Sequence, residues 1–307
     1  MSGWFRSGVA GLALMLAWLS PGCAQAREIV ALLDTHVAAY AEALAGFRQQ
    51  SSIPVRVVGC RENGSVRDER ALIPRIRAEH PVQVLAVGDE PLRALAGRLT
   101  ELPVIFCMVA NPASIMGGAR NITGVSTDTP PGRLMALAGR FAVHMHRIGV
   151  VYNPDESGYM VAAARKALAR HHQVLVARPA HSSRQALEAL RKLMPHVDAY
   201  WVVRDHLFRA SEVIRYVFAM ADRYDTPLIG YSDRLVRAGS LFAYSSDHTL
   251  MGRQAANLSS QVLAGKRAGA LPVEMPRVQM LSVNRKSFRH HRIRLSKRLM
   301  RRAWRVY

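Results

Sequence analysis

Short apolar runs alternate along this chain with longer stretches in which apolar residues recur every three or four positions. The runs at 29–33 (IVALL), 54–58 (PVRVV), 82–87 (VQVLAV) and 103–109 (PVIFCMV) are the length of strands. Helical periodicity fills the intervals near 37–50, 67–79 and 90–99. The series then starts again. Strand-like runs at 148–152, 173–177, 197–203, 227–230 and 240–244 enclose helical patterns near 157–171, 183–193 and 209–223. Such alternation predicts parallel strands with crossover helices on both faces. Occurring twice, it predicts an α/β chain of two doubly wound, Rossmann-like lobes. The segment 111–132 (NPASIMGGARNITGVSTDTPPG) has no periodicity, and its Gly, Pro, Ser and Thr mark a crossover loop. A helix near 249–264 and a last strand at 278–284 follow, and these are free to pass between the lobes.

Ligands of open parallel sheets bind beyond the carboxyl ends of the strands, where helix N-termini present unpaired N–H groups. Here nearly every strand discharges into Asp, Asn or Ser. The ends hold Asp89 and Asn111 in the first series, and Asn153, Ser157, Arg204, Asp205, Ser232 and Asp233 in the second. Each small polar residue has a plain alternative role as a helix cap or turn residue. In RIGVVYNPDESG (147–158), Pro154 ends the strand, Asp155 or Ser157 can cap the next helix, and Asn153 stays at the lip for a ligand. Arg204 follows a run that must be buried; its guanidinium can fork onto a ligand carboxylate or pair with Asp205. The chain has no G-x-S-x-G, G-x-G-x-x-G, G-x-x-x-x-G-K or H-E-x-x-H motif, so neither a catalytic constellation nor a cofactor is expected. His144, His146, His171 and His172 fall at predicted helix ends without a Cys or acid cluster, and are read as surface residues and not as metal ligands.

Composition adds an address. Arg6, the apolar run 9–19 and Ala24-Gln25-Ala26 have the form of a cleavable export signal over residues 1–26. That run is about 11 residues, short of the roughly 20 that span a bilayer. Cys23 lacks the Leu three places earlier that favours lipid attachment, since Ser20 stands there. Cys60 and Cys107 belong to apolar runs and are expected as free buried thiols in preference to a disulfide. The formal net charge is +20, and residues 285–307 hold ten Arg and Lys and no acid. An exported chain does not meet nucleic acid, so this tail is read as a solvated helical surface, docked through Ile293, Leu295, Leu299 and Met300.

PVIFCMVANP, RNITGVS (120–126), RIGVVYNPDESG, the stretch 226–256 with its Gly252-Arg253-Gln254-Ala255-Ala256 helix start, and LPVEMPRVQMLSVN (271–284) occur in that order. In this they resemble the substrate-binding proteins of ABC transporters, in the group that includes tryptophan- and tyrosine-binding members. The likeness runs over about residues 28–300. It implies a type I periplasmic-binding-protein fold with three crossings between lobes, near Thr123–Asp128, Tyr244–Asp247 and Met280–Asn284. It further implies lobe one from 27–125 plus 247–280, and lobe two from 126–246 plus 281–307 with a basic C-terminal helix. The implied activity is capture of a small solute, an amino acid or related carboxylate, by a periplasmic monomer that delivers it to an inner-membrane permease and its ATPase. Asp89, Asn111, Asn153, Ser157, Arg204, Asp205, Ser232 and Asp233 are the ligand-facing positions that the resemblance carries over. The chain departs from the pattern at Asp89-Glu90 and Asn111-Pro112, after its first helix, and in its basic tail. The rival reading is a sensing or accessory module of a signalling or outer-membrane uptake system.

Overall fold

The computed structural model describes residues 27–307 apart from 59–60, 63–64, 67–68 and 209–210. The signal predicted over 1–26, with Cys23 in it, and Cys60 lie outside the described residues.

Five parallel strands form the first sheet: β1 (Ile29–Leu33), β2 (Val55–Val57), and, after a small hairpin of β3 (Arg61–Glu62) and β4 (Ser65–Val66), β5 (Gln83–Val87), β6 (Val104–Val109) and β7 (Ile122–Ser126). Their spatial order is β2-β1-β5-β6-β7. The helices of this half are α1 (Ala38–Gln50), α2 (Glu69–Ala78), α3 (Asp89–Leu95) and α4 (Pro112–Met116). Every residue of β1, β5, β6 and β7 is buried, as a strand covered on both faces requires. Alternate side chains part to opposite faces. Ile29, Ala31 and Leu33 pack with Phe47 of α1, while Val30 and Leu32 pack with Ile76 of α2 and Leu92 of α3.

The second sheet has seven strands. These are β8 (Arg147–Tyr152), β9 (Val174–Pro179), β10 (Ala199–Trp201), β11 (Leu228–Ile229), β12 (Phe242–Ser246), β13 (Gln279–Val283) and β14 (Arg305–Val306). Their order is β14-β13-β12-β11-β10-β8-β9, parallel except that β13 runs against β12 and β14 runs along β13. With them go α5 (Pro131–Gly139), α6 (Pro154–Ala169), α7 (Ser183–Leu193), α8 (Ser211–Arg223), α9 (Asp233–Ala238), α10 (His248–Leu263), α11 (Arg285–His290) and α12 (Lys297–Arg302). Of these, α10 returns to the first sheet and packs along α1. A Cβ on Gly252 would lie 1.8 Å from the Ala43 carbonyl oxygen, and one on Gly46 2.0 Å from that of Thr249. Two glycines let the helix backbones touch. The two doubly wound sheets expected from the alternation are therefore present.

The loop expected at 111–132 is a correction. It contains α4, all of β7 and the start of α5. Gly and Thr disguise the strand, yet both are demanded by their places in it. A Cβ on Gly124 would lie 2.1 Å from the Phe106 carbonyl oxygen. The Thr123 hydroxyl donates to the Leu271 carbonyl at 3.2 Å. The basic tail docks as expected through Ile293 and Leu299, both buried, with Leu295 partly so. Phe288 of α11 adds to this by meeting Phe141 and Phe242 at centroid distances of 5.2 and 6.3 Å. Such aromatic pairs add about 0.5–1.5 kcal/mol each beyond burial. Instead of one helix the tail forms α11, α12 and an edge strand. No helix among the described residues is long and apolar enough to cross a membrane.

Candidate functional site

A cavity of about 510 Å³ lies between the two sheets, at the carboxyl ends of their parallel strands. Its apolar wall includes Trp201, Tyr231 and Tyr244 from the second sheet and Met108 from the first. Met108 is there because β6 bulges. The register with β7 shifts between Cys107 and Val109, and Met108 takes a left-handed φ of 63°. A bulge re-aims a side chain at the cost of local strain. Asn111, four residues beyond Cys107, is also left-handed at φ 43°.

Of the eight positions singled out by sequence, Arg204, Ser232 and Asp233 line this cavity. Arg204 is exposed, and its guanidinium lies over the Tyr231 ring at 5.2 Å. It makes no ion pair with Asp205 among the described residues, because the Asp205 carboxylate is engaged elsewhere. Asp205 accepts from the Asn153 backbone N–H at 2.7 Å, the Ser157 hydroxyl at 2.9 Å and the Leu207 N–H at 3.1 Å. Asn153, Ser157 and Asp205 are all buried in this network, behind the cavity. The side chain of Asn153 itself caps α6 by accepting from the Asp155 N–H at 3.0 Å. This corrects the expectation that Asp155 or Ser157 would be the cap. Pro154 fills the first helical position, and Ser157, one turn in, faces inward toward Asp205. Asp89 accepts from the Ala110 N–H at 2.8 Å. The Asn111 amide reaches across to α6, donating to the Asp155 and Glu156 carbonyls at 3.3 and 3.1 Å.

Asp233 lines the cavity but is held from behind. Its carboxylate accepts from Ser282, from Tyr307 at 2.7 Å and from the Arg305 guanidinium at 3.0 Å. These donors lower its pKa against the effect of burial. Ser232 caps α9 by accepting from the Leu235 N–H.

Asp128, not singled out by sequence, is the buried acid of the cavity wall. Burial raises its pKa, opposed by the Tyr159 hydroxyl, the Asn111 N–H and the charge of Arg204. It sits on the stretch joining β7 to α5, and its partners come from both halves of the molecule. The reason it escaped notice is the strand hidden in the loop: without β7 there is no strand end at Ser126-Thr127-Asp128. Trp304 and Arg305 also line the cavity, and nothing in the periodicity of a basic tail marks them.

Two groups of ligating side chains occur among the described residues, Glu156–Asp205–His206 and Asp225–His290–His291. In the first, His206 Nδ1 lies 2.9 Å from Glu156, and the Asp205 oxygens serve the donors named above. The second is mostly exposed, with His291 at 2.9 Å from Asp225. Cys107 is buried and free, and burial pushes its thiol up to about 12.

Two largely parallel sheets facing each other across a cavity, with an arginine and a buried acid among aromatic walls, have the two-lobed fold of the type I periplasmic binding proteins. The chain belongs to the family described as ABC transporter substrate binding protein, which it matches over residues 33–307. It is accordingly a binding protein and not an enzyme. It is 24% identical over 198 residues to a tyrosine-binding protein of Clostridioides difficile (strain R20291), an alignment that takes in 62% of this chain and 57% of that protein. The chain thus matches little more than half the length of that relative. In fold it is similar to a domain from Streptococcus pneumonia solved in complex with L-Trp, at TM-score 0.69 and 18% identity over 92% of this chain and 99% of that one. It is also similar to a ligand-free, open substrate-binding protein with adhesive properties from Clostridium difficile, at TM-score 0.71 and 16% identity over 91% and 99%.

Proposed function

We propose that this protein is the periplasmic solute-binding component of an ABC importer, and that its solute is an amino acid with an apolar, preferably aromatic, side chain. The observation that carries this is one cavity offering both halves of a zwitterion a partner. The exposed guanidinium of Arg204 is available to a carboxylate, and the Asp128 carboxyl to an ammonium. Trp201, Tyr231 and Tyr244 offer the apolar wall that a side chain requires. The relatives that bind tyrosine and L-Trp support the same solute class.

The chain passes between the sheets three times: after Ser126, after Ser246, and between Glu274 and Gln279, the last ahead of the Met280–Asn284 expected, because Gln279–Val283 is already β13 of the second sheet. In this reading those stretches are hinges, and closure over the solute creates the form that docks on the permease. Gln254 ties the third stretch to α10, donating to Glu274 and to the Met275 carbonyl and accepting from the Arg277 N–H at 3.2 Å. This gives the G-R-Q-A-A segment a physical meaning: Gly252 seats the helix and Gln254 holds a strap. Asp89, Asn111, Asn153, Ser157 and Asp205 then act by positioning strand ends, while Arg204, Ser232 and Asp233 belong to the cavity wall, Arg204 as the group that meets the solute. Export through residues 1–26 and action as a monomer belong to the same proposal.

The test is a thermal-shift screen of the protein lacking residues 1–26 against the amino acids. A ligand at 100 times its dissociation constant adds about 2.7 kcal/mol of stability, hence a shift of several degrees. Expected hits are tryptophan, tyrosine and phenylalanine, with a smaller radius of gyration in solution scattering when bound. No shift with any amino acid would sink the proposed solute class.

A further inference from the structure

We infer that Trp304, just before the C-terminal edge strand, and Arg305, its first residue, form a stacking subsite of the cavity that receives the aromatic ring of the solute; this rests on the amino-acid reading above. Beyond residue 26 the chain contains two tryptophans, Trp201 and Trp304, and both line the cavity. They differ in one respect. Trp201 is 1% exposed and belongs to the core, whereas Trp304 is 49% exposed. A large indole left half in water marks a contact surface where its position is fixed, and here it is fixed from several sides. Its main chain is held by the Trp304 backbone N–H donating to the Leu281 carbonyl at 2.7 Å, by Arg305 and Val306 pairing with Ser282 and Val283, and by the Tyr307 backbone N–H donating to the Val283 carbonyl at 2.9 Å. The Arg305 guanidinium lies 4.0 Å from the indole centroid while also bonding Asp233 at 3.0 Å. Tyr307 and Ser282 hold that same carboxylate.

The indole is thus backed by a cation that is itself anchored. A ring so held loses little freedom on binding a second ring, and preorganisation of this kind favours planar ligands over aliphatic ones. Asp233, expected to touch the solute, acts in this arrangement mainly by positioning Arg305. The tail therefore sets the preference of the cavity among amino acids.

The test uses the full mature chain and calorimetry with L-phenylalanine, L-tyrosine and L-leucine. Trp304→Ala should weaken the two aromatic amino acids about tenfold and leave leucine within twofold, and Trp304→Phe should restore most of the loss. Arg305→Ala should give a smaller loss of the same sign. A second readout does not depend on a truncated side chain: with Trp201→Phe, emission reports Trp304 alone, and L-phenylalanine should shift it to the blue. Aromatic affinities within twofold of wild type in Trp304→Ala, or an unmoved emission on saturation, would overturn the subsite and leave the amino-acid reading standing. If the wild-type protein binds no amino acid at all, both fall together.

Discussion

Two buried carboxylates at the mouths of the sheets make an instructive pair. Asp205 has a full set of donors, two backbone N–H groups and the Ser157 hydroxyl, all from its own half of the molecule. Asp128 is nearly as buried, yet its proton affinity is raised, and its partners are spread over both halves. The first is a structural knot that fastens β8, α6 and β10 to each other. The second carries unmet demand for positive charge in a wall of the cavity. Buried acids of similar sequence appearance thus divide by how completely the protein itself satisfies them.

Replacement of Asp205 by Ala should have the largest effect on the fold. Three buried donors would lose their acceptor at once, for a loss of about 3 kcal/mol or more in chemical denaturation. If Asp205→Ala unfolds like wild type but cannot bind, the two acids have been assigned the wrong way round. Next in size, Arg204→Ala should lower affinity for the best amino acid roughly tenfold to a hundredfold, as loss of a charge-assisted bond does. Its stability should stay within about 0.5 kcal/mol, since the side chain is exposed.

A subtler difference is expected with pH. The folded-state pKa of Asp128 is raised, so the folded chain binds that proton more tightly than the unfolded chain. Its contribution to stability is complete below the ordinary aspartate range and is lost as pH climbs through the raised value. Asp128→Asn should remove that segment of the stability–pH curve. An ammonium beside Asp128 favours the ionised carboxylate, so affinity for an amino acid should rise with pH over the same interval in wild type. A flat binding profile there, in wild type, would detach Asp128 from the solute. Smallest of all, Cys107 should resist alkylation at neutral pH in the folded protein, because burial holds its thiol protonated. Rapid labelling at Cys107 in the native chain, resolved from Cys60 by peptide mapping, would show that β6 opens far more readily than its burial implies.

Sequence made the architecture legible because its signal is redundant: β1, β5, β6 and β8 are runs of apolar residues with helical periodicity between them. β7 carried no such signal. Its Thr123 and Gly124 are explained only by what lies beside them, the Leu271 carbonyl and the Phe106 backbone. That single omission concealed Asp128. The site was legible in part. Arg204, Ser232 and Asp233 follow recognisable strands and do reach the cavity, whereas Asn153, Ser157 and Asp205 follow equally recognisable strands and turn inward to one another. Nothing short of the fold distinguishes the two sets, because a side chain's direction at a strand end depends on the neighbouring strand. Trp304 and Arg305 are remote in sequence from every other wall residue and join it through one step of edge pairing.

The bulge at Met108 has a further consequence. A methionine there sits in backbone territory that glycine would occupy without penalty, a difference of about 1 kcal/mol. Met108→Gly would thus give a calmer scaffold with a hole where a thioether had been. In the proposed reading, that tension near the end of β6 sets a pliable sulfur-bearing chain in the same cavity wall as the aromatic rings, able to mould itself to guests of different outline.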